Sequence, residues 1–224
     1  VVGESGSGKS TLSFAIPRLL PQNAKIESGS IRLDGVDVTR LTEGMLEKLR
    51  GDKVAMIFQD PLSSLHPCMT IGRQMLDAQR AHSRRSAHEC DLKSIEMLER
   101  VGIADPKHSL KRFPHQFSGG MRQRVMIAIA LLLGPSLLIA DEPTSALDVV
   151  LQGQIMALIA EFRDALQASV LIVSHDLAVV GQCADAILVM YAGDVMEYGP
   201  ADAVMDRPRH PYTQDLLQAI PSRK

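Results

Sequence analysis

Gly3-Glu4-Ser5-Gly6-Ser7-Gly8-Lys9-Ser10-Thr11 is the stretch on which the reading of this chain turns. It fits the pattern G-x-x-x-x-G-K-[ST], in which each residue type has a physical task. Gly3, Gly6 and Gly8 let the backbone take positive φ and bring its N–H groups close to a polyphosphate. Lys9 adds a point charge near the β- and γ-phosphates, and the Ser10 hydroxyl is suited to Mg²⁺. A helix beginning near Lys9 directs its positive dipole end at the same anion. The pattern alone also describes a flexible Gly/Ser loop. Its context favours nucleotide binding. Val1-Val2 read as the end of a buried strand, and Leu12-Ser13-Phe14-Ala15-Ile16 continue as an apolar helix, so the glycines join strand to helix.

Outward from this loop, Pro17 and Pro21 mark the kink or end of its helix. Ser30-Ile31-Arg32-Leu33 followed by Asp34-Gly35 predicts a short strand entering a turn. Residues 42–50 carry Met45, Leu46 and Leu49 at helical spacing. Val54-Ala55-Met56-Ile57-Phe58 is a continuous apolar run, as in a strand buried on both faces of a parallel sheet. Pro61 stops it after Gln59-Asp60. From 62 to 116 strand-like runs give way to charged helical segments at 71–80 and 88–101, the second with Leu92, Ile95, Leu98 and Val101 on one face. Ala81-His82-Ser83-Arg84-Arg85 reads as a solvated hinge between them. The expected organisation is therefore one domain, with a RecA-like core at 1–61 and 117–224 and an inserted helical subdomain at 62–116.

Ser118-Gly119-Gly120-Met121 opens the next helix, with Ser118 as N-cap and Gly134-Pro135 at its end. Leu137-Leu138-Ile139-Ala140-Asp141-Glu142 reads as a second buried strand with two carboxylates at its C-terminal edge. A helix is expected over 149–167, then strands over 170–175 and 186–190. The alternation of strand and helix argues a parallel α/β sheet. Three strands thus deliver polar residues at their C-terminal ends: Gln59, Asp141 with Glu142, and His175. Ligands bind at that edge of open α/β sheets, and the glycine loop lies on the same edge. Singly, Asp141 could cap a turn and His175 could be a structural histidine; their shared position argues for chemistry. Met75, Met97 and Met156 read as core filling, and Tyr191 and Tyr198 as packing.

Composition sets the limits. With 224 residues and 46% hydrophobic side chains the chain can bury a sizeable core. A net charge of −2 gives no sign of a nucleic-acid partner. Cys68, Cys90 and Cys183 are far apart and form no CxxC, so they read as the reduced thiols of a cytosolic protein. No apolar run approaches the ~18 residues of a membrane span, and no signal peptide is visible. Any crossing of a membrane falls to another chain. There is no initiator Met, and the chain begins inside an expected strand; the reading is of an N-terminally truncated P-loop domain.

These motifs, in this order, resemble those of the ATP-binding cassette ATPases, the nucleotide-binding subunits of ABC transporters. The phosphate loop is Gly3-Glu4-Ser5-Gly6-Ser7-Gly8-Lys9-Ser10-Thr11, the Q-loop residue Gln59, and the signature Ser118-Gly119-Gly120-Met121 after Phe117. The strand ending in Asp141 and Glu142, Ser145-Ala146-Leu147-Asp148 and His175 match the Walker B, D-loop and switch positions. Finer features are similar to the oligopeptide/dipeptide/nickel importer branch: 58–67, with His66 where Asn is more usual; Pro114-His115-Gln116 before the signature; and His210-Pro211-Tyr212-Thr213 with Leu216-Leu217 in the tail. The family's adenine-stacking aromatic precedes the phosphate loop and has no counterpart here.

The resemblance implies ATP hydrolysis with Mg²⁺ by in-line attack of water on the γ-phosphate. It makes Glu142, His175 and Gln59 the catalytic residues, and Ser10, Gln59 and Asp141 the Mg²⁺ shell. Ser118, Gly119, Gly120 and Asp148 would act across a dimer of two cassettes, the partner being a copy or a paralogue. Two membrane permease subunits would dock on the helical lobe, and an extracytoplasmic solute-binding protein would act through them. The protein would sit peripherally on the cytoplasmic face of the inner cell membrane. A soluble ABC ATPase of DNA repair or translation is the competing reading. Repair types carry a long coiled coil before the signature, and no heptad run lies between Lys9 and Phe117. Translation types carry two cassettes in one chain, and one is visible.

Overall fold

A computed structural model describes residues 1–144 and 149–219 of the chain. It forms two compact units, Val1–Leu41 with Leu171–Lys224, and Thr42–Val170. This division follows compactness. The helical segment 62–116 lies within the second unit.

In the first unit the residue before the glycine loop is central. Val2 bridges in parallel to both Ser174 and Val189. Its N–H donates to Leu188 at 2.8 Å, and its carbonyl accepts from Met190 at 2.8 Å. Val2 is 1% exposed, so the expected buried strand end is present. The helix Lys9–Ala15 follows the loop and stops before Pro17. Arg32–Leu33 pairs antiparallel with Val36–Asp37. Asp34 and Gly35 between them have φ of 48° and 81°, the paired positive values of a type I′ hairpin turn.

Ala186–Tyr191 does not continue a purely parallel sheet. It turns back and pairs antiparallel with Asp194–Pro200. Ala192 and Gly193 take φ of 48° and 93° at the turn. No strand is expected from sequence at 194–200, where Asp194, Gly199 and Pro200 are of types depleted in strands. Tyr198 on this strand is 70% exposed, so its expected packing role does not hold. The core of the unit gathers Val2, Leu177, Val180, Ile187, Val189 and Val204, with Tyr212, Leu216 and Leu217 of the last helix, Pro211–Gln218, packed against it.

In the second unit Val54–Ile57 pairs in parallel with Leu137–Asp141, Val54 opposite Leu137 and Ile57 opposite Ala140. The Ser169 N–H donates to the Ser136 carbonyl at 2.9 Å and starts the next strand, Ser169–Val173. The helices Ile71–His82, Ala87–Arg100, Gly119–Leu131 and Val149–Leu166 belong here. Ser86 and Glu89 form a reciprocal capping box that begins Ala87–Arg100. One core joins Ile57, Leu138 and Ala140 to Met75, Leu98, Ile127 and Phe162. Met75 and Met97 lie buried in it, as core-filling methionines should. No helix among the described residues is long and apolar enough to cross a membrane.

Candidate functional site

The glycine loop has the shape its sequence demands. Gly3, Gly6 and Gly8 have φ of 152°, 82° and 96°, conformations that L side chains resist. At Gly3 there is a second constraint. A Cβ there would stand 2.1 Å from the Met190 carbonyl oxygen and 2.9 Å from Ser7 Oγ. The first helical residue, Lys9, is 5% exposed and folds back over the loop. Its Nζ donates to the carbonyls of Gly3 at 2.9 Å and Glu4 at 2.7 Å, and to Ser7 Oγ at 3.4 Å. The Ser7 N–H donates to the Glu4 carbonyl at 3.2 Å, and the Gly193 N–H donates to the Ser7 carbonyl at 3.2 Å. Glu4, Ser5, Gly6 and Thr11 are exposed, while Ser10 is half-buried.

His175 belongs to the same unit. Val2 and Ser174 are bridged in parallel, and the Ser174 N–H donates to the Val1 carbonyl at 3.0 Å. Gly3 and His175 therefore follow the C-terminal ends of neighbouring parallel strands, with His175 exposed. Ser174 Oγ accepts from the Asp176 N–H at 2.9 Å, and Asp176 caps the turn Leu177–Val180. The backbone on either side of His175 is thereby pinned.

The second unit brings two of the sequence-derived residues into contact. Parallel pairing of Ile57 with Ala140 puts Gln59 and Asp141-Glu142 at the same edge of the sheet. The Gln59 amide donates to Glu142 Oε2 at 3.1 Å. Successive strand residues point to opposite faces, so adjacent Asp141 and Glu142 need a break in the backbone to take different tasks. Glu142 supplies it with φ of 46°. Asp141 stays in the strand, 3% exposed, and Glu142 is half-buried. The Gln123 amide donates to the Pro143 carbonyl at 2.6 Å and holds the turn from the side of the helix Gly119–Leu131.

That helix begins at Ser118, whose Oγ accepts from the Met121 N–H at 3.4 Å. Ser118 and Gly119 face solvent, as an anion site at a helix N-terminus requires. The loop before it is braced. Arg122 Nε donates to the Pro114 carbonyl at 2.8 Å, and the Arg112 guanidinium sits 4.5 Å over the ring of buried Phe117. Asp148 lies outside the described residues.

Ser10 of the first unit offers a hydroxyl oxygen, and Gln59 and Asp141 of the second offer amide and carboxylate oxygens, all hard donors of the kind that Mg²⁺ takes. No group of three or more His, Cys, Asp or Glu among the described residues could hold a metal by itself. A cleft of about 470 Å³ lined by Arg18, Pro21, Ile26, Glu27 and Thr39 includes none of the residues above.

Sequence reading did not single out Gln123 or the contact of Tyr212 with the glycine loop. The Tyr212 hydroxyl accepts from the Glu4 N–H at 3.1 Å, and its ring stands 4.7 Å from that of Tyr191 at 49°. Burial raises the Tyr212 phenol above its ordinary value. The only sequence signal was the tail motif 210–213, which says nothing of the loop it touches.

Known proteins share the sequence and the fold of this chain. Residues 1–145 match the family described as ABC transporter, and residues 196–224 the family described as oligopeptide/dipeptide transporter, C-terminal region. The chain is 48% identical over 221 residues to the oligopeptide transport ATP-binding protein OppD of Escherichia coli, covering 99% of this chain and 65% of OppD. It is 47% identical over 221 residues to the dipeptide transport ATP-binding protein DppD of Escherichia coli, covering 99% and 68%. The chain thus spans about two thirds of the length of these relatives. The dimeric post-hydrolysis structure of the ATP-binding cassette MJ0796, bound to ADP and Pi, superposes with a TM-score of 0.78 at 30% identity, over 89% of this chain and 83% of that one. With the phosphate loop, the Gln59–Glu142 contact and the exposed Ser118 helix start in place, the chain belongs to the ABC transporter family and has the fold of its ATP-binding cassettes.

Proposed function

We propose that this chain is the ATP-hydrolysing, energy-coupling subunit of an ABC importer for peptides, of the dipeptide, oligopeptide or nickel type. The observation that carries the transport reading is the pairing on one chain of an ABC transporter match with the oligopeptide/dipeptide C-terminal match. Relatives named for oligopeptide and dipeptide transport support it. A soluble ABC ATPase has no comparable support.

The reaction is attack of water on the γ-phosphate of ATP, and the protein's work is positioning and charge stabilisation. Lys9 and the N–H groups of 3–11 hold the phosphates. Glu142 orients the attacking water and takes its proton, and Gln59 steers the Glu142 carboxylate through the contact at 3.1 Å. Ser10, Gln59 and Asp141 would hold Mg²⁺, which would neutralise charge on the phosphate oxygens. His175 contacts the γ-phosphate and responds to its loss. Ser118 with the Gly119 and Gly120 amides, and Asp148, complete the ATP site of a second cassette, so two chains close around two nucleotides. The helices within 62–116 form an inserted lobe that meets two membrane permeases. A solute-binding protein outside the membrane delivers the peptide, and the cassette sits peripherally on the cytoplasmic side. Nucleic acid has no part.

Reconstitution of the complete protein with its two permeases in liposomes tests this. Peptide-loaded binding protein should raise ATP hydrolysis and drive peptide uptake. Robust ATPase activity indifferent to permeases and binding protein would overturn the transport reading and leave the ATPase reading standing.

A further inference from the structure

The peptide unit joining Gly3 to Glu4 is trans and planar, so its carbonyl and its N–H point in opposite directions. Both ends are taken. The carbonyl accepts from Lys9 Nζ at 2.9 Å, and the N–H donates to the Tyr212 hydroxyl at 3.1 Å. Without the second bond this plane would have unusual freedom, because Gly3 has no Cβ to resist rotation. Rotation would carry away one of the two carbonyls that hold the Lys9 ammonium.

The hydroxyl is itself held. Tyr212 lies in the first turn of Pro211–Gln218, where His210 Nδ1 accepts its N–H at 3.2 Å. The Glu197 carboxylate accepts the N–H groups of Arg209 at 2.9 Å and His210 at 3.1 Å and fixes the turn before the helix. On the other side the ring meets Tyr191. A continuous set of contacts therefore runs from the strand Asp194–Pro200 through the tail helix to the phosphate loop.

We infer that Tyr212 is a positioning residue for nucleotide binding: its hydroxyl fixes the Gly3–Glu4 peptide plane and, through it, the ammonium of Lys9. This rests on the reading of 3–11 as an ATP site. It also gives the tail a task, since displacement of the helix Pro211–Gln218 would loosen the phosphate loop.

Tyr212→Phe removes the hydroxyl and keeps the ring against Tyr191. In the complete protein it should raise the ATP dissociation constant, measured by calorimetric titration, and the KM for ATP about twofold to tenfold, the worth of one hydrogen bond. The kcat should stay at the wild-type value, and the thermal midpoint should fall by no more than one hydrogen bond is worth. Tyr212→Ala should raise KM further, and if it does not fold, Tyr212→Phe decides alone. A Tyr212→Phe protein with unaltered KM and dissociation constant overturns the inference while the ATP site stands. So does one with lowered kcat and thermal midpoint at unchanged KM, which is the mark of a merely structural tyrosine. A wild-type protein that binds no ATP removes the ATP reading itself and this inference with it.

Discussion

Lys9 and Tyr212 hold opposite ends of one peptide plane: the ammonium grips the Gly3 carbonyl and the phenol accepts the Glu4 N–H. The phosphate loop is thus shaped from inside by its own lysine and from outside by the tail.

Gly3→Ala should damage the loop more than any neighbouring substitution. Its Cβ would enter the space of the Met190 carbonyl at 2.1 Å, a backbone atom with little freedom to move. Overpacking of this kind costs about 1–3 kcal/mol. A lowered thermal midpoint together with lost ATP binding is the expected result; Gly6→Ala, with nothing within 4 Å of the added Cβ, should lose less through collision.

Lys9→Ala should abolish ATP binding, because it removes the buried cation of the loop. Ser118→Arg should leave binding to the single chain nearly intact and stop hydrolysis, because exposed Ser118 is assigned to the nucleotide of the opposite cassette. Titration of ATP against each variant separates the two. Equal loss of binding would sink the assignment across the dimer.

Glu142→Gln keeps size and a carbonyl acceptor but removes the base, and such losses cost about 10²–10⁴ in rate. ATP should still bind. The expected observation is an ATP-dependent dimer on gel filtration, absent with ADP, with phosphate release near zero. Asp141→Asn should impair dimer formation too, through weaker Mg²⁺ support. Hydrolysis by Glu142→Gln at close to the wild-type rate would remove Glu142 as the base.

Acid should loosen the tail. Burial opposes ionisation of Glu197, but the N–H groups of Arg209 and His210, with the Thr213 side chain and the charge of His210, together outweigh it and hold its pKa below the ordinary 4.5. The unfolded chain then binds more protons across the interval between the two values, so stability rises with pH there. The contribution is complete above 4.5 and fades as pH falls through the folded value. Thermal midpoints measured from neutral pH downward should drop through this window, and Glu197→Gln should flatten that drop. An identical acid limb in Glu197→Gln would exclude Glu197 as its source.

The glycine loop, the buried strands at 54–57 and 137–141 and the capped helix after Ser118 were all readable from sequence. In each case the signal is local: a glycine spacing, an apolar run, a cap at fixed distance from its helix. Local signals also fixed which residue types end the strands, and so which side chains were candidates. Only the tertiary structure decided how they are used. The Gln59–Glu142 bond spans 83 residues and the Glu4–Tyr212 bond 208, and no propensity acts over such separations. The left-handed turn at Glu142 is non-glycine backbone held by Gln123 from a packed helix, and the strand Asp194–Pro200 exists through its ladder to Ala186–Tyr191. Hydrogen bonds like these need the chain to return on itself, so packing decides them and the order of residues alone does not.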